Sequence, residues 1–155
     1  MKPIYTTRRA TDADFLFMRE TKLEGLRPYV EAMWGWNRET QEQRFQQDFE
    51  PARCVIIVMD GVDVGFIHVV EGAETILLAG IYVCATARRR GIGTAILRDL
   101  IATAVKQSKP LTLQVLKVNP ARRLYEGMGF VTTGETSSHF LMAWSAGRSS
   151  SEAPK

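Results

Sequence analysis

Three apolar runs lie close together in the middle of the chain and constrain its fold more than any other feature. Residues 54–59 and 62–70 are rich in valine and isoleucine, and they flank Asp60-Gly61, a pair that tolerates the positive φ of a tight hairpin. A third run covers residues 75–84. The pattern predicts a three-stranded meander. Within its third strand, Gly80 predicts a bulge or the close approach of another backbone.

The segment before the meander has the pattern of one short strand followed by helices. Residues 4–8 alternate as a strand does, and a helix-start signal follows at Thr11. Gly25 and Pro28 are helix breakers. They predict that the first helix is interrupted and that a second short helix covers residues 26–33. A further amphipathic helix is expected over residues 38–49.

After the meander, the pattern alternates between helix and strand. Residues 91–107 have apolar positions at helical spacing, and a strand is expected over residues 111–118. A short helix follows, with Asn119 as its cap and Pro120 at its first position. Two strands complete the order, at residues 130–133 and 139–144. This order predicts a mixed α/β fold with one sheet, and it argues against a doubly wound parallel sheet.

Length and composition indicate an ordinary globular chain. The 155 residues, 45% hydrophobic and 24% charged, fit a single domain, which we place at residues 1–145, followed by a flexible polar tail at 146–155. The net charge of +3 is too small to argue for nucleic acid by itself, although it permits an anionic ligand.

The cysteines and the hydropathy pattern bear on the compartment. Cys54 and Cys84 lie far apart inside apolar runs, which indicates reduced thiols and not a disulfide framework. No segment has the pattern of a signal peptide or of a transmembrane helix. We therefore expect a cytoplasmic protein without a membrane partner.

A loop rich in arginine and glycine connects the third strand of the meander to the next helix. Glycines let an anion approach the N–H groups that have no partner in the first turn of a helix, and arginines add positive charge. The loop therefore predicts a phosphate or pyrophosphate site formed by Arg88, Arg89, Arg90, Gly91, Ile92, Gly93 and Thr94. It lacks the spacing of a P-loop. Taken alone, the glycines could also serve only the turn, with the arginines solvated.

A second cluster lies further along the chain. Asn119 is at a helix cap, Tyr125 comes nearly two turns later, and a Gly-Phe pair opens the next strand. With both clusters in this order, the sequence resembles the GNAT superfamily of N-acyltransferases. Members have a coenzyme A loop Gln/Arg-x-x-Gly-x-Gly/Ala and a later signature Asn-x-x-Ala-x-x-x-Tyr-x-x-x-Gly-Phe. The resemblance covers roughly residues 53–140, but Ala121 comes two residues after the asparagine instead of three.

The resemblance implies a GNAT-like fold with acetyl-CoA as acyl donor. That fold is a single mixed, mostly antiparallel sheet of six to seven strands, with helices on both faces and a splayed central strand pair. The pantetheine arm would lie in the splay and pair with the backbone of Ile81, Tyr82 and Val83, while the amides of residues 89–94 would hold the pyrophosphate. Asn119 and Arg122 would also contact the cofactor. Tyr125 would lie beside its sulfur and protonate the leaving thiolate as general acid.

The general base is less clear from the sequence. Several members of the family use a glutamate on the strand before the loop, but the corresponding position here is Leu77. The remaining candidates are Glu74, Glu71 and His68, acting directly or through water, and His139 has the same status as His68. For each, a plain structural role, as a hairpin-loop carboxylate or a strand histidine, is an open alternative. The histidines and cysteines lack metal-ligand spacing, so we expect no metal.

Aromatic residues in the helical first third suggest where an acceptor would bind. Tyr29, Trp34 and Trp36 lie near several glutamates, and in the family the corresponding helices border the acceptor cleft. Aromatic walls with nearby carboxylates would suit a cationic amine. The alternative is that these rings only pin the helices to the sheet.

The resemblance thus implies an acetyl-CoA-dependent N-acetyltransferase acting on a primary amine of a small molecule, a peptide or a protein. A non-catalytic acyl-CoA-binding regulatory module is the alternative, because the strand glutamate is missing. Nucleic-acid binding through the arginines is a third possibility, but no aromatic stacking pattern accompanies them, and we expect no nucleic-acid partner. The resemblance also allows a homodimer, because many members of the family are dimers.

Overall fold

The computed structural model describes residues 4–146, where the chain forms seven β-strands and four α-helices. The strands are β1 (Thr6–Arg9), β2 (Cys54–Met59), β3 (Val62–Glu71), β4 (Ile76–Val83), β5 (Leu111–Leu116), β6 (Val131–Glu135) and β7 (His139–Trp144). The helices are α1 (Phe15–Trp34), α2 (Arg38–Asp48), α3 (Ile92–Gln107) and α4 (Ala121–Gly127). Apart from Ala146, the predicted flexible tail at 146–155 lies outside the described residues. None of the helices in residues 4–146 combines the length and the apolar character needed to cross a membrane.

The strands form one sheet in the order β1-β2-β3-β4-β5-β7-β6. The pairings of β1 with β2, β2 with β3, β5 with β7 and β6 with β7 are antiparallel. Strands β4 and β5 pair in parallel, and their ladder covers only Ile76–Leu78 opposite Leu111–Leu113. The mixed, mostly antiparallel α/β architecture is therefore confirmed, and the short β4–β5 ladder agrees with the expected splay of that pair.

The chain divides into two compact units, and strands β3 and β4 run through both. Among the described residues, the first unit contains residues 4–68 and 80–92, and the second contains residues 69–79 and 93–146. The single acyltransferase domain expected at residues 1–145 stays a prediction.

The core of the first unit forms where α1 and α2 cover one face of β2 and β3. Because side chains alternate along a strand, Cys54 and Ile56 share a face of β2. They lie in one buried cluster with Met18 and Leu23 of α1 and with Phe45 of α2. The short helical turn before α1 begins with a capping box, in which Thr11 accepts from the N–H of Ala13 and donates its own N–H to Asp14.

Helix α1 runs without a break through Pro28, so the predicted interruption and second short helix over residues 26–33 are wrong. Proline removes one helical hydrogen bond and costs about 3 kcal/mol in a helix interior. Met18 and Leu23 are buried before it and Val30 after it, so one apolar face continues past the proline. Packing of that face outweighs the local signal.

The core of the second unit comes from one face of α3 and from the strands β5 and β7. Ile96, Leu97 and Ala104 of α3 have no exposed surface. Leu111 of β5 and Met142 of β7 are also buried. Ala104 is seven and eight residues after Leu97 and Ile96, about two helical turns, so the three share the buried stripe of an amphipathic helix, as the sequence pattern predicts.

Three glycines and an aspartate set the backbone path of the meander. The predicted hairpin is confirmed, since Asp60 and Gly61 have φ of 51° and 76°. At Gly80 the predicted neighbour was another backbone, but an added Cβ would lie 2.4 Å from a ring carbon of Tyr82. The close backbone approach occurs at Gly65 instead, where an added Cβ would lie 2.1 Å from the carbonyl oxygen of Tyr82. Gly65 is therefore required by space.

We expect Gly65→Ala to destabilise the protein by about 3 kcal/mol, the upper part of the range for overpacking a core, because the clash is with backbone and cannot be relieved by a rotamer change. Gly127→Ala is the matched control. Nothing lies within 4 Å of a Cβ at Gly127, so this change should be neutral or stabilising by up to about 1 kcal/mol. Urea denaturation of both variants measures the difference. Equal stabilities would show that β3 and β4 can separate at Gly65 without cost.

Candidate functional site

The end of β4 is fixed by contacts within the first unit. The Tyr82 ring packs on Phe66 with 5.0 Å between ring centres. The N–H of Cys84 donates to the carbonyl of Val64 over 2.7 Å, and the carbonyl of Val83 accepts from Arg88 Nε over 2.9 Å. The predicted donor-binding residues Ile81, Tyr82 and Val83 are all partly buried. One of their backbone acceptors, on Val83, is therefore already used by the loop that follows.

Arg88 braces that loop. Besides its bond to Val83, its guanidinium lies 3.3 Å from a carboxylate oxygen of Glu24 on α1. Gly25 lies beside it, and an added Cβ there would be 3.7 Å from Arg88 Nη2, an ordinary van der Waals contact. The Arg88 side chain is thus bonded to protein groups, and its predicted contact with the cofactor stays a prediction.

The loop itself turns through two residues with positive φ. Arg89 has φ of 64° and Gly91 has φ of 77°, and the first residue of α3, Ile92, is buried. Arg89 and Arg90 are exposed. The chain therefore presents two solvated guanidinium groups close in sequence to the N-terminus of a 16-residue helix, whose first N–H groups have no partner within the helix. Backbone and side chains together can bind an anion.

The two glycines of the loop meet different requirements. At Gly91 the backbone conformation favours glycine, although nothing lies within 4 Å of an added Cβ. Gly93 has ordinary helical φ, and the nearest atom to its added Cβ is Leu124 Cδ2 at 3.9 Å. The protein itself would accept a small side chain at Gly93. The space beside it is available to a ligand.

In the second unit, Asn119 caps α4, but the helix begins one residue later than predicted. Pro120 is the residue before the helix, and Ala121 is its first residue. Asn119 Oδ1 accepts from the N–H of Ala121 over 2.9 Å, so its side chain still satisfies an N–H of the first turn. The carboxamide N–H groups of Asn119 are hydrogen-bond donors, suited to a carbonyl or hydroxyl oxygen of a ligand.

Tyr125 lies on α4 with its ring edge-on to Phe130, 5.8 Å between ring centres. The N–H of Phe130 donates to the carbonyl of Tyr125 over 3.0 Å, which ties the end of α4 to the next strand. Burial raises the pKa of the Tyr125 phenol above its usual range. The phenol is therefore protonated at neutral pH and can serve as a proton donor.

Arg122, another predicted cofactor residue, packs against protein groups. Its guanidinium carbon lies 3.8 Å from the centre of the Phe140 ring, and Nη2 donates to Thr132 Oγ1 over 3.3 Å. Nε is 3.8 Å from a carboxylate oxygen of Glu126 and makes no hydrogen bond. These contacts give Arg122 a structural role between α4 and strands β6 and β7. Its contact with a cofactor stays a prediction.

The candidate bases have different surroundings. Leu77 is partly buried on β4, opposite Thr112. Glu74 is exposed in the turn between β3 and β4, which is closed by a 2.8 Å hydrogen bond from the N–H of Gly72 to the carbonyl of Thr75. A role for Glu74 as base would require a water chain.

His68 is more buried than the candidate base Glu74. It lies opposite Cys54 in the β2–β3 ladder, and only 16% of its side chain is exposed. Its Nε2 is 3.4 Å from Glu50 Oε1 but at an angle too poor for a hydrogen bond, and it has no other partner. Burial lowers the pKa of His68, against the opposite effect of Glu50. The imidazole is therefore neutral at pH 7 and able to accept a proton.

The predicted acceptor residues separate into exposed and packed rings. Trp34 is 60% exposed. Trp36 packs against the core of the first unit, with the Arg27 guanidinium 5.4 Å from its ring centre. Tyr29 is partly buried. Two of the glutamates expected to attract a cationic amine are paired within the protein, Glu24 with Arg88 and Glu31 with Arg27.

Lys22 is a residue of interest that sequence reasoning missed. On an amphipathic helix a lysine is typically solvated, and no motif includes it. In the structure its Nζ lies over the rings of Tyr82 and Phe45. Only the tertiary arrangement of α1, α2 and β4 brings these groups together. For metals, no group of three or more His, Cys, Asp or Glu side chains in the described range is arranged to hold an ion.

Comparison of the sequence with protein families gives one match. The family model described as Acetyltransferase (GNAT) domain matches residues 50–132. This span contains the meander, the glycine loop, Asn119 and Tyr125. No curated protein matches the sequence.

Solved structures share the fold at low identity. The PaiA N-acetyltransferase from Thermoplasma acidophilum, solved in complex with coenzyme A, has a TM-score of 0.76 at 17% identity, over 94% of this chain and 99% of that one. The ribosomal-protein-S18-alanine N-acetyltransferase from Escherichia coli has a TM-score of 0.63 at 20% identity, over 97% and 99%. Ard1 from Thermoplasma volcanium has a TM-score of 0.62 at 18% identity, over 91% and 97%.

The different requirements of the two loop glycines predict opposite effects of the same substitution. Gly91→Ala should lower stability by about 1–2 kcal/mol, because alanine is strained at positive φ. Gly93→Ala should raise it by up to about 1 kcal/mol, because alanine favours the helix and fits the space beside Leu124. Thermal and urea unfolding of the two single variants provide the comparison. A loss of stability at Gly93 equal to that at Gly91 would contradict this assignment.

Proposed function

Because the chain belongs to the GNAT acetyltransferase family, we propose that it transfers an acetyl group from acetyl-CoA to a primary amine of a small molecule, a peptide or a protein. Acetyl-CoA is the donor expected from the family, and no metal takes part in the proposed reaction. The acceptor is an amine whose identity the chain's residues do not specify.

The glycine loop is the observation that carries this proposal. Coenzyme A ends in a pyrophosphate and a phosphorylated ribose, so its binding needs a dense set of N–H donors and positive charge. The backbone turn at Arg89 and Gly91, the exposed guanidinium groups of Arg89 and Arg90, and the N-terminus of α3 supply both. We assign binding of the pyrophosphate to the amides of residues 89–94. The hydroxyl of Thr94 would donate a further hydrogen bond.

The remaining donor contacts are proposed by the same family pattern. The backbone of Ile81, Tyr82 and Val83 would pair with the pantetheine arm, whose amides alternate donors and acceptors as a strand does. Since Arg88 already occupies the Val83 carbonyl, we expect the pairing to use the other backbone groups. The carboxamide of Asn119 would donate to the arm.

The proposed reaction is direct attack of the amine on the thioester carbonyl carbon. The N–C bond forms, the C–S bond breaks, and coenzyme A leaves as a thiolate. A backbone N–H near Ile81 would stabilise the oxyanion, and the Tyr125 phenol would protonate the thiolate. The amine must first lose a proton. We propose His68 as its acceptor, directly or through water, with Glu74 as the alternative.

We propose that Trp34 and Tyr29 border the acceptor, with Trp36 contributing through packing. Trp34 supports this role best because most of its ring is exposed. The Escherichia coli neighbour acts on an alanine of ribosomal protein S18, and a peptide N-terminus is therefore a reasonable member of any amine panel.

Two alternative functions have less support. A non-catalytic acyl-CoA-binding module would keep the loop but have no use for Tyr125, and it would bind acetyl-CoA without releasing thiol for any amine. Nucleic-acid binding through the arginines is weakened because Arg88 and Arg122 are engaged with protein groups. We propose a cytoplasmic location and a homodimer as the simplest setting for the enzyme.

Gly93→Asp tests donor binding without disturbing the fold. An acidic residue in the first turn of a helix is stabilising, and Gly93 has room for a Cβ, so the variant should fold at least as well as the wild type. Its carboxylate would repel the pyrophosphate. In isothermal titration with acetyl-CoA we expect micromolar binding by the wild type and at least about a hundredfold loss in the variant, equivalent to about 2.7 kcal/mol.

A matched Gly93→Ala variant separates charge from size in that titration, since it fills the same space without the carboxylate. We expect a smaller loss of affinity than with aspartate. Absence of acetyl-CoA binding by the wild type would overturn the proposed function, and unchanged binding by Gly93→Asp would remove the loop from the donor site.

Tyr125→Phe tests the general acid. Thiol release with an amine that the wild type accepts should fall about a hundredfold or more in kcat, the ordinary contribution of a positioned acid, while the KM for acetyl-CoA changes little. Because the pKa of Tyr125 is raised above the usual value for a phenol, half of the wild-type activity should be lost to its ionisation only above about pH 10. Tyr5→Phe controls for loss of a phenol elsewhere. An unchanged kcat in Tyr125→Phe would exclude the phenol as the acid.

A further inference from the structure

Lys22 is a partly buried amine to which acetyl transfer, as proposed, gives no role. It lies on α1, and its Nζ is 5.5 Å from the centre of the Tyr82 ring and 5.9 Å from that of Phe45. Within residues 4–146 no carboxylate lies at salt-bridge distance from it. Contact with two aromatic rings, without an ion-pair partner, offsets only part of the free-energy cost of removing an ammonium group from water.

Lys117 shows that this arrangement is not the general rule for lysines in the chain. Its Nζ lies at a similar distance from an aromatic ring, 5.4 Å from the centre of Phe140. It also forms an ion pair with Glu135. The two lysines therefore share the aromatic contact and differ in the carboxylate partner.

Burial is the main influence on the protonation of Lys22, and it favours the neutral form. Burial lowers the pKa of Lys22, against weaker opposite effects of Asp48 and Cys54. Burial also raises the pKa of the Cys54 thiol to about 11, so this neighbour is uncharged at neutral pH. His68, whose own pKa is lowered by burial and by Lys22, is neutral as well, and Glu50 faces it. The free amine, which is the nucleophilic form, is more populated than in a solvated lysine.

The ring that contacts Lys22 belongs to the strand assigned to the donor. Tyr82 lies between Ile81 and Val83 on β4, and its side chain extends from that strand toward α1 and α2, where it joins the core cluster with Phe66. Lys22 Nζ thus lies over a side chain of the strand segment along which we place the pantetheine arm. All of these residues belong to the first unit.

We propose that Lys22 is itself an acetylation site, modified by the acetyl-CoA that the same chain binds, an inference that rests on the proposed function. The uncharged Nζ attacks the thioester carbonyl carbon, the N–C bond forms and the C–S bond breaks. Nitrogen loses one proton and the leaving thiolate gains one, so the products are an acetyl-lysine amide and coenzyme A. The amide is neutral, and its formation removes the desolvation cost of the ammonium group among the rings.

The test uses the full-length protein with isotopically labelled acetyl-CoA and no added amine. Peptide mass spectrometry follows the label at each lysine over time. We expect Lys22 to acquire it faster than Lys117, whose ammonium form is held by its ion pair with Glu135. The rate should not depend on protein concentration, because the reaction is within one chain. Lys22→Arg keeps the charge and the aromatic contact but should lose the label.

Gly93→Asp distinguishes transfer from the bound donor from slow chemical acetylation. Labelling of Lys22 that persists in this variant at the wild-type rate would overturn the proposal, since acetyl-CoA from solution would then suffice. Acetyl-CoA binding by calorimetry with no label on Lys22 would also overturn it and would leave the proposed function intact. No binding by the wild type would instead be the failure of the proposed function, from which the labelling claim follows.

Discussion

The close approach of β3 and β4 at Gly65 is the constraint on which the rest of the first unit depends. A side chain at residue 65 would occupy the place of the Tyr82 carbonyl, so only glycine lets the two backbones come together there. The N–H of Cys84 then reaches the carbonyl of Val64, and Arg88 reaches back to Val83. These contacts fix the end of β4, and through it the point from which the glycine loop begins.

The elements of the fold were largely predictable because apolar period and turn chemistry are local properties. The Asp60-Gly61 hairpin and the strand at His139–Trp144 are where the pattern indicates them. The predicted break at Pro28 was wrong because the burial of α1 on both sides of the proline outweighs the local helix-breaking signal. At Gly80 the sequence predicts a bulge or the approach of another backbone, but the near neighbour of Gly80 is the ring of Tyr82, and the backbone contact belongs to Gly65.

Side-chain partners in the candidate site were much less predictable than its backbone. The conformation of the loop can be predicted from its motif, because glycine spacing and positive φ are properties of consecutive residues. The partners of Arg88 and Arg122 come from α1 and from strands β6 and β7, far away in sequence. The same is true of Lys22, whose rings come from α2 and β4. Basic residues adjacent to a motif therefore cannot be assigned to the ligand from spacing alone.

Burial acts on the two proposed proton-transfer groups in opposite directions, and both effects suit the reaction. A buried phenol resists ionisation, so Tyr125 stays in its acid form, while a buried imidazole resists protonation, so His68 stays in its basic form. Each group thus carries at neutral pH the proton state that its proposed role requires.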